Sequence, residues 1–167
     1  IEAVRKHCPE MYVGAGTVTL SGQAPTDGRP DLPTRVGGWG AAATGASSIT
    51  AGSIDISADG GDKGAGLDVG VSNAGATLAL TAASINVAGR GVGINPNDSQ
   101  PHAGVTIGPG SSWQATSGVL NVSAPTGRMN FNGSTLAAGS HLVLSAAEAF
   151  NASVSTVSAG GNLTVTG

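Results

Sequence analysis

A cysteine beside a histidine near the start of the chain is the first group of residues that could do chemistry. Cys8 follows His7 directly, and a thiol next to an imidazole has the residue types of a nucleophile and its base, but no third group supports the pair. His102 and His141 have no carboxylate at metal-ligand spacing, so we expect both to be surface histidines. These residues predict neither a catalytic site nor a metal site.

A stretch rich in glycine and aspartate, Ala58 to Asp68, is the second candidate. It partly matches the glycine–aspartate repeats that bind calcium between adjacent turns of some β-solenoids. Calcium takes six to eight oxygen ligands, whereas this stretch occurs once and has Lys63 inside it. We therefore predict a solvated corner, with no metal and no cofactor.

The two tryptophans are the candidates for contacting a ligand. Trp39 ends a proline-rich stretch, Gln23 to Gly40, and Trp113 follows a second loop within Gly93 to Gly110. Long excursions from a repeating structure are where repeat proteins place binding residues. Trp39 and Trp113 are therefore predicted ligand contacts, and the alternative for Trp39 is that it covers a loop base or an open end.

Asparagines followed by a serine or threonine two residues later are predicted acceptors for glycosylation. Five sites have this pattern, more than the composition of the chain would give by chance: Asn97, Asn121, Asn132, Asn151 and Asn162. Asn121 lies between two aliphatic residues and Asn162 just before such a pair, so alternation along a strand predicts that both face outward. The alternative is that an Asn- and Thr-rich β-surface produces the pattern for structural reasons.

The charge of the chain excludes one class of partner. Seven Lys and Arg residues are scattered along the sequence and the formal net charge is −3, so no basic stripe exists to neutralise phosphates. We predict no nucleic-acid partner. The sequence also has no long apolar run, so we predict no transmembrane segment.

A short recurring phrase predicts the architecture that holds these residues. Gly118–Ala124, Ser140–Ala146 and Gly161–Gly167 all place two aliphatic residues around one variable residue, and they follow one another at a nearly constant spacing. An alternation with a period of two is typical of a strand whose aliphatic residues face one side. Because so short a strand cannot bury its apolar side alone, regular recurrence indicates stacked coils. We predict an all-β parallel β-helix, a solenoid with loop excursions and coils of about 21 residues.

The same pattern upstream predicts two sets of strands, and hence at least two strands in each coil. The first set continues through three more segments: Thr17–Gly22, Ser53–Ala58 and Thr77–Ala82. The second set comprises these residues: Ile85 and Val87, Val105 and Ile107, Met129 and Phe131, and Val154. We predict β-helix repeats over residues 45–167. Residues 1–44 should form an N-terminal segment with one strand and a proline-rich loop, and the whole should be a piece of a longer repeat protein.

The final phrase resembles the repeats of a known family. Ser158–Gly167, with its upstream echoes, is similar to the repeats of filamentous haemagglutinin-type exoproteins, the adhesins and contact-dependent inhibition proteins that Gram-negative bacteria export by two-partner secretion. The resemblance covers roughly residues 45–167, and residues 1–40 do not match the family's secretion domain. It implies a right-handed parallel β-helix, export through an outer-membrane transporter, and a location at the cell surface or outside the cell.

Two functions follow from these observations. The first is a structural or adhesive segment of a large secreted surface protein, which extends a shaft and contacts a host-cell receptor or glycan. The second is a carbohydrate-binding β-helix module, or a polysaccharide lyase or hydrolase. Such enzymes need clustered acidic and basic side chains, yet Arg128 and Glu148 are the only charged residues after Val105. We therefore predict that the chain is not an enzyme.

Overall fold

The computed structural model describes residues 10–12, 16–23, 38–43, 45–61, 64–70, 75–95 and 100–167. Within these ranges the chain is all-β and contains no helix. The predicted fold class is confirmed at this level: parallel sheets stack in a manner compatible with a β-helix or solenoid.

The strands are, in chain order, β1 (Glu10–Tyr12), β2 (Thr17–Gln23), β3 (Gly38–Ala43), β4 (Ala46–Thr50), β5 (Ser53–Asp59), β6 (Gly64–Val69), β7 (Thr77–Ala82), β8 (Ser84–Arg90), β9 (Ile94–Asn95), β10 (Gln100–Pro101), β11 (Ala103–Ile107), β12 (Ser112–Ala115), β13 (Leu120–Thr126), β14 (Arg128–Asn132), β15 (Thr135–Ala138), β16 (Leu142–Ala146), β17 (Phe150–Ser153), β18 (Thr156–Ala159) and β19 (Leu163–Thr166).

Three parallel sheets contain all of these strands except β9 and β10. Sheet A has the order β1-β4-β7-β12-β15-β18, sheet B the order β2-β5-β8-β13-β16-β19, and sheet C the order β3-β6-β11-β14-β17. From β3 onward the chain visits sheets C, A and B in turn, and we call each such passage a coil. The first coil is β3–β5 and the fifth is β17–β19.

Identical positions in successive coils stack into columns of aliphatic residues inside the structure. One column of sheet B contains, in order of stacking, Ile54, Ile85, Leu120, Leu142 and Leu163. The first four are at most 1% exposed, and burial of each such side chain contributes about 1.5–3 kcal/mol. The strands alternate buried and exposed residues as predicted; in β16, for example, Leu142, Leu144 and Ala146 are buried. The hydrophobic core is therefore the interior of the coil stack.

Each coil has three strands, which agrees with the prediction of at least two, but the predicted assignment of the strands to two sets is wrong. Leu78 lies on β7 in sheet A and is not equivalent to Ile54 or Leu120 of sheet B. Ile85 is the residue of sheet B that pairs with both of them. β7 of sheet A carries an aliphatic pair followed by alanine, as β5 and β13 of sheet B do, so the sequence pattern does not tell these strands apart.

The coil length predicted from the sequence holds only towards the end of the chain. Asn130 and Asn151, register partners on β14 and β17, are separated by 21 residues. Between β8 and β13 the partners Asn86 and Asn121 are separated by 35 residues. Excursions between strands account for the difference. One of them is the antiparallel hairpin β9–β10, which lies between β8 and β11, in the region where a loop was predicted.

The described strands of the N-terminal segment belong to the same sheets as the repeats. β2 pairs in register with β5 along its whole length, and β3 pairs with β6. β2 coincides with the strand predicted in residues 1–44, but the described part of this segment also contains β1 and β3, so it has more than the one strand predicted. His7, Cys8 and the loop of residues 24–37 lie outside the described residues.

One corner between sheets C and A has a conformation that favours glycine. Gly110 and Gly133 precede β12 and β15 at equivalent positions, with φ of +81° and +60°. The equivalent residue of the fifth coil is Val154, with φ of +51° and 90% of its surface exposed. It is the one non-glycine residue with positive φ among those that the structure describes. A β-branched residue is strained in this region of backbone space.

Replacing this valine with glycine is expected to stabilise the protein. The left-handed conformation costs an L-residue about 1–2 kcal/mol, and glycine's extra freedom in the unfolded chain offsets about 0.5–1 kcal/mol of the relief. We expect Val154→Gly to raise the free energy of unfolding in urea by about 0.5–1 kcal/mol. Val154→Ala is the matched control, because it removes the exposed methyl groups but keeps the backbone strain. Equal stability of the two variants would contradict the strain.

Candidate functional site

Trp113 is in the core, which corrects its prediction as a ligand contact. Its side chain is 0% exposed and lies in a column of sheet A between Leu80 and Leu136. The indole Nε1 has no hydrogen-bond partner. A side chain enclosed in this way cannot reach a ligand at the surface, so Trp113 stabilises the coil interior instead.

Trp39 lies on β3, where its backbone is aligned with Ala65 of β6. Its side chain lies outside the described part of the structure. Its role as a ligand contact therefore stays a prediction, and the structure does not bring it together with Trp113, which belongs to sheet A.

The predicted glycosylation sites differ in exposure. Asn132, Asn151 and Asn162 are exposed, Asn121 is half-buried, and Asn97 lies outside the described residues. The outward orientation predicted for Asn121 is confirmed, since its neighbours Leu120 and Val122 are fully buried. Glycosylation at any of the five stays a prediction.

Two of these asparagines already use their side-chain nitrogen. Asn121 Nδ2 donates a hydrogen bond of 2.8 Å to Oδ1 of Asn86, its register partner on β8. Asn151 Nδ2 donates one of 3.1 Å to Oδ1 of Asn130 on β14. A glycan would replace one of the two hydrogens on this nitrogen, and the other hydrogen can still donate the existing bond, so these bonds do not by themselves exclude modification. In the folded protein these bonds connect neighbouring coils.

Polar side chains on the outer surface of sheet B are stacked in columns that run from one coil to the next. Asp55, Asn86 and Asn121 occupy one outward column, and Asp59 and Arg90 are partners in another. The carboxylate of Asp59 accepts hydrogen bonds of 3.3 Å from Arg90 Nη1. The pair is solvent-exposed, and ion pairs of this kind contribute little to stability.

The outer surface of sheet A is uncharged at ten positions in five neighbouring strands. These outward residues are, in two columns, Ser48, Ala79, Ser112, Thr135 and Thr156, then Thr50, Thr81, Gln114, Ala137 and Ser158. All are small or polar, and none is aromatic. These ten positions offer neither the charges of a polysaccharide lyase nor a stacking platform for a sugar ring. In β1 the same two columns continue with Glu10 and Tyr12, whose side chains lie outside the described part of the structure.

The glycine–aspartate stretch is described except for residues 62 and 63. It was predicted to be a solvated corner, but Gly60 and Gly61 in its described part are buried. Asp59 Oδ1 accepts a hydrogen bond of 2.9 Å from the backbone nitrogen of Gly61, which has φ of +65°. The chain then enters β6, which contains Asp68. Among the described residues, no group of three or more His, Cys, Asp or Glu side chains could hold a metal ion.

The histidines differ from each other. His141 is exposed, as predicted, and its Nδ1 accepts a hydrogen bond of 3.0 Å from the backbone nitrogen of Asn162. His102 is only 7% exposed, so its prediction as a surface residue is wrong. It immediately precedes β11, where neighbouring backbone segments lie close together. A Cβ atom at Gly91 or at Gly127 would clash with the carbonyl oxygen of His102.

The contacts between Asn86 and Asn121 and between Asp59 and Arg90 were missed by sequence reasoning. A signal for the first is present in the sequence, because Ile85-Asn86-Val87 and Leu120-Asn121-Val122 carry the same asparagine between aliphatic residues. The irregular coil lengths hide this alignment.

Comparison with known proteins gives no relative. No family model, no curated protein and no solved structure matches the chain. In the described part of the chain, no helix has the length and hydropathy needed to cross a bilayer.

Proposed function

We propose that this chain is a segment of the shaft of a large secreted surface protein, in which a right-handed parallel β-helix extends and displays an adhesive region. The observation that carries the proposal is the in-register column of aliphatic residues through five coils. In such a column each coil packs only against its neighbours, so the stability of the protein is approximately a sum of contributions from single coils and their interfaces. Coils can therefore be added without building a new core. The right hand follows the general preference of parallel crossovers.

The outer surface supports a role in extension. The small, uncharged outward side chains of β4, β7, β12, β15 and β18 and the cross-coil amide pairs of sheets B and C connect neighbouring coils. Among the outward side chains that the structure describes in these strands, there is no cluster of acids, bases or aromatic rings. A shaft needs solubility and regularity from its surface, whereas catalysis needs positioned titratable groups. We therefore propose no catalytic activity, no cofactor and no metal for this chain.

Secretion and partners belong to the same proposal. The resemblance of the repeats to filamentous haemagglutinin-type exoproteins supports export by two-partner secretion through an outer-membrane transporter of a Gram-negative bacterium. A host-cell receptor or glycan would be the partner of the displayed region. The alternative, a carbohydrate-binding β-helix module, would place the binding residues on this segment itself, and the ladder of Asp55, Asn86 and Asn121 is its best surface.

The shaft proposal predicts that this segment can replace part of another shaft. Coils of a filamentous haemagglutinin-type exoprotein would be exchanged for an equal number from this chain, and the amount of adhesive tip at the cell surface would be measured with an antibody. We expect surface tip within about twofold of the unmodified protein, because coil stacking is local.

The control is the same exchange with Val122→Asp, which places a charge in the coil interior and should abolish display. Failure of the unaltered segment to display the tip would contradict the shaft. Saturable binding of the purified segment to a glycan panel, lost in Asn86→Ala and Asn121→Ala together, would support the alternative.

A further inference from the structure

One asparagine in the sequence is followed by glycine. It lies in the fourth coil, on the strand that pairs with β17 of the fifth coil. Asn132 is the last residue of β14 and is exposed. Gly133 begins the corner towards β15, with φ of +60°. The other eight asparagines are followed by residues that carry a side chain.

This pair has the chemistry of spontaneous deamidation. The backbone nitrogen of Gly133, once deprotonated, can attack the side-chain carbonyl carbon, Cγ, of Asn132. A carbon–nitrogen bond forms, the side-chain amide leaves as ammonia, and a five-membered succinimide remains. Water then opens either ring carbonyl, giving aspartate or isoaspartate. Glycine permits the attack because no Cβ hinders the approach of its nitrogen.

The structure holds the attacking nitrogen in a bond between coils. The N–H of Gly133 donates a hydrogen bond of 2.9 Å to the carbonyl oxygen of Ser153 on β17, the register partner of Asn132. While β17 is paired, this nitrogen keeps its proton and its position in the ladder. Attack on Asn132 therefore requires β17 to separate from β14.

Few buried apolar side chains hold β17 on β14 in this structure. Its residues Asn151, Ala152 and Ser153 are exposed, and Phe150 is its one partly buried residue. The ring of Phe150 makes an edge-to-face contact with Phe131, with ring centroids 5.5 Å apart. Local opening free energies are lowest where few apolar contacts hold a strand.

We propose that Asn132 is a deamidation site whose rate is set by opening of the fifth coil. Each deamidation adds a negative charge at the end of β14, and the isoaspartate product adds one atom to the main chain at the position that pairs with β17. The added main-chain atom opposes renewed pairing with β17, so formation of isoaspartate makes a transient opening permanent. This inference does not rest on the proposed function.

The test follows deamidation by peptide mass spectrometry while the folded chain is held in mildly alkaline buffer. We expect the modification to accumulate at Asn132 faster than at Asn151 or Asn162, which are also exposed. Phe150→Ala removes the ring contact of β17 and should accelerate the reaction about tenfold. Val154→Gly relieves strain in the same coil and should slow it.

Two variants keep the test specific. Asn132→Gln should abolish the modified peptide, since a glutamine in its place forms the equivalent ring far more slowly. Ile56→Val lowers stability in a distant part of sheet B and should leave the rate at Asn132 unchanged. A rate equal to that of Asn151 and Asn162, an unchanged rate in Phe150→Ala, or equal acceleration in Ile56→Val would overturn the proposal.

Discussion

Trp113→Ala is expected to lower the free energy of unfolding by about 3–5 kcal/mol. The tryptophan is fully buried in the third coil, and alanine would leave a cavity between Leu80 and Leu136 of the neighbouring coils. A domain of this size has about 5–15 kcal/mol of stability in total, so the loss would be a large part of it. Urea unfolding followed by circular dichroism measures the change.

Trp113→Leu is the matched variant. Leucine repeats the residues above and below it in the column and removes an indole nitrogen that has no hydrogen-bond partner, whose burial costs about 1–3 kcal/mol. We expect less than half the destabilisation of the alanine variant. Equal losses would mean that the column does not accept a leucine at this coil. A loss of ligand binding in Trp113→Ala would report unfolding rather than a binding site.

The local structure of the last two coils is predictable from the sequence because nothing interrupts them. Each coil there holds little more than three short strands and their corners, so one phrase recurs at a nearly constant spacing. The inward positions of Leu142 and Leu144, and the outward position of Asn121, follow directly from alternation.

The assignment of strands to sheets is not predictable in the same way. Excursions between strands lengthen the earlier coils, as the separation of 35 residues between Asn86 and Asn121 shows. The aliphatic pair of β7 then lies nearer the expected spacing from β5 than its true counterpart on β8 does. Strands of the same sequence pattern fit either sheet, and only packing against the neighbouring coil decides between them.

Whether a candidate residue can contact a ligand depends on the burial of its side chain. Alternation along a strand predicts that burial only where the strand has been assigned correctly. Trp113 follows a loop in the sequence, which suggested exposure, but it occupies the inward position of β12 that Leu80 and Leu136 take in adjacent coils. The strain at Val154 could be recognised only from its alignment with Gly133, and that alignment follows from the pairing of β15 with β18.

The insertion of whole coils has the largest expected effect on the shape of the molecule. Residues 121–142 make one complete coil, because Leu120 and Leu142 are register partners in neighbouring coils. Inserting three further copies after Leu142 keeps every inward residue inward. We expect a protein that still unfolds cooperatively and is longer by three strand spacings of about 4.8 Å each, or about 14 Å. Copies that carry Val122→Asp place a charge in the interior of every added coil and should not fold.

The most direct test of the coil stack is the distance between spin labels at Ser21 and Thr166, with Cys8→Ser removing the native thiol. These exposed residues belong to one outward column and are five strand spacings apart. Double electron–electron resonance should give a distance between the labels of about 24 Å in the original chain and about 38 Å after insertion of three copies. An unchanged distance in a folded insertion variant would contradict a stack that extends coil by coil, and with it the shaft.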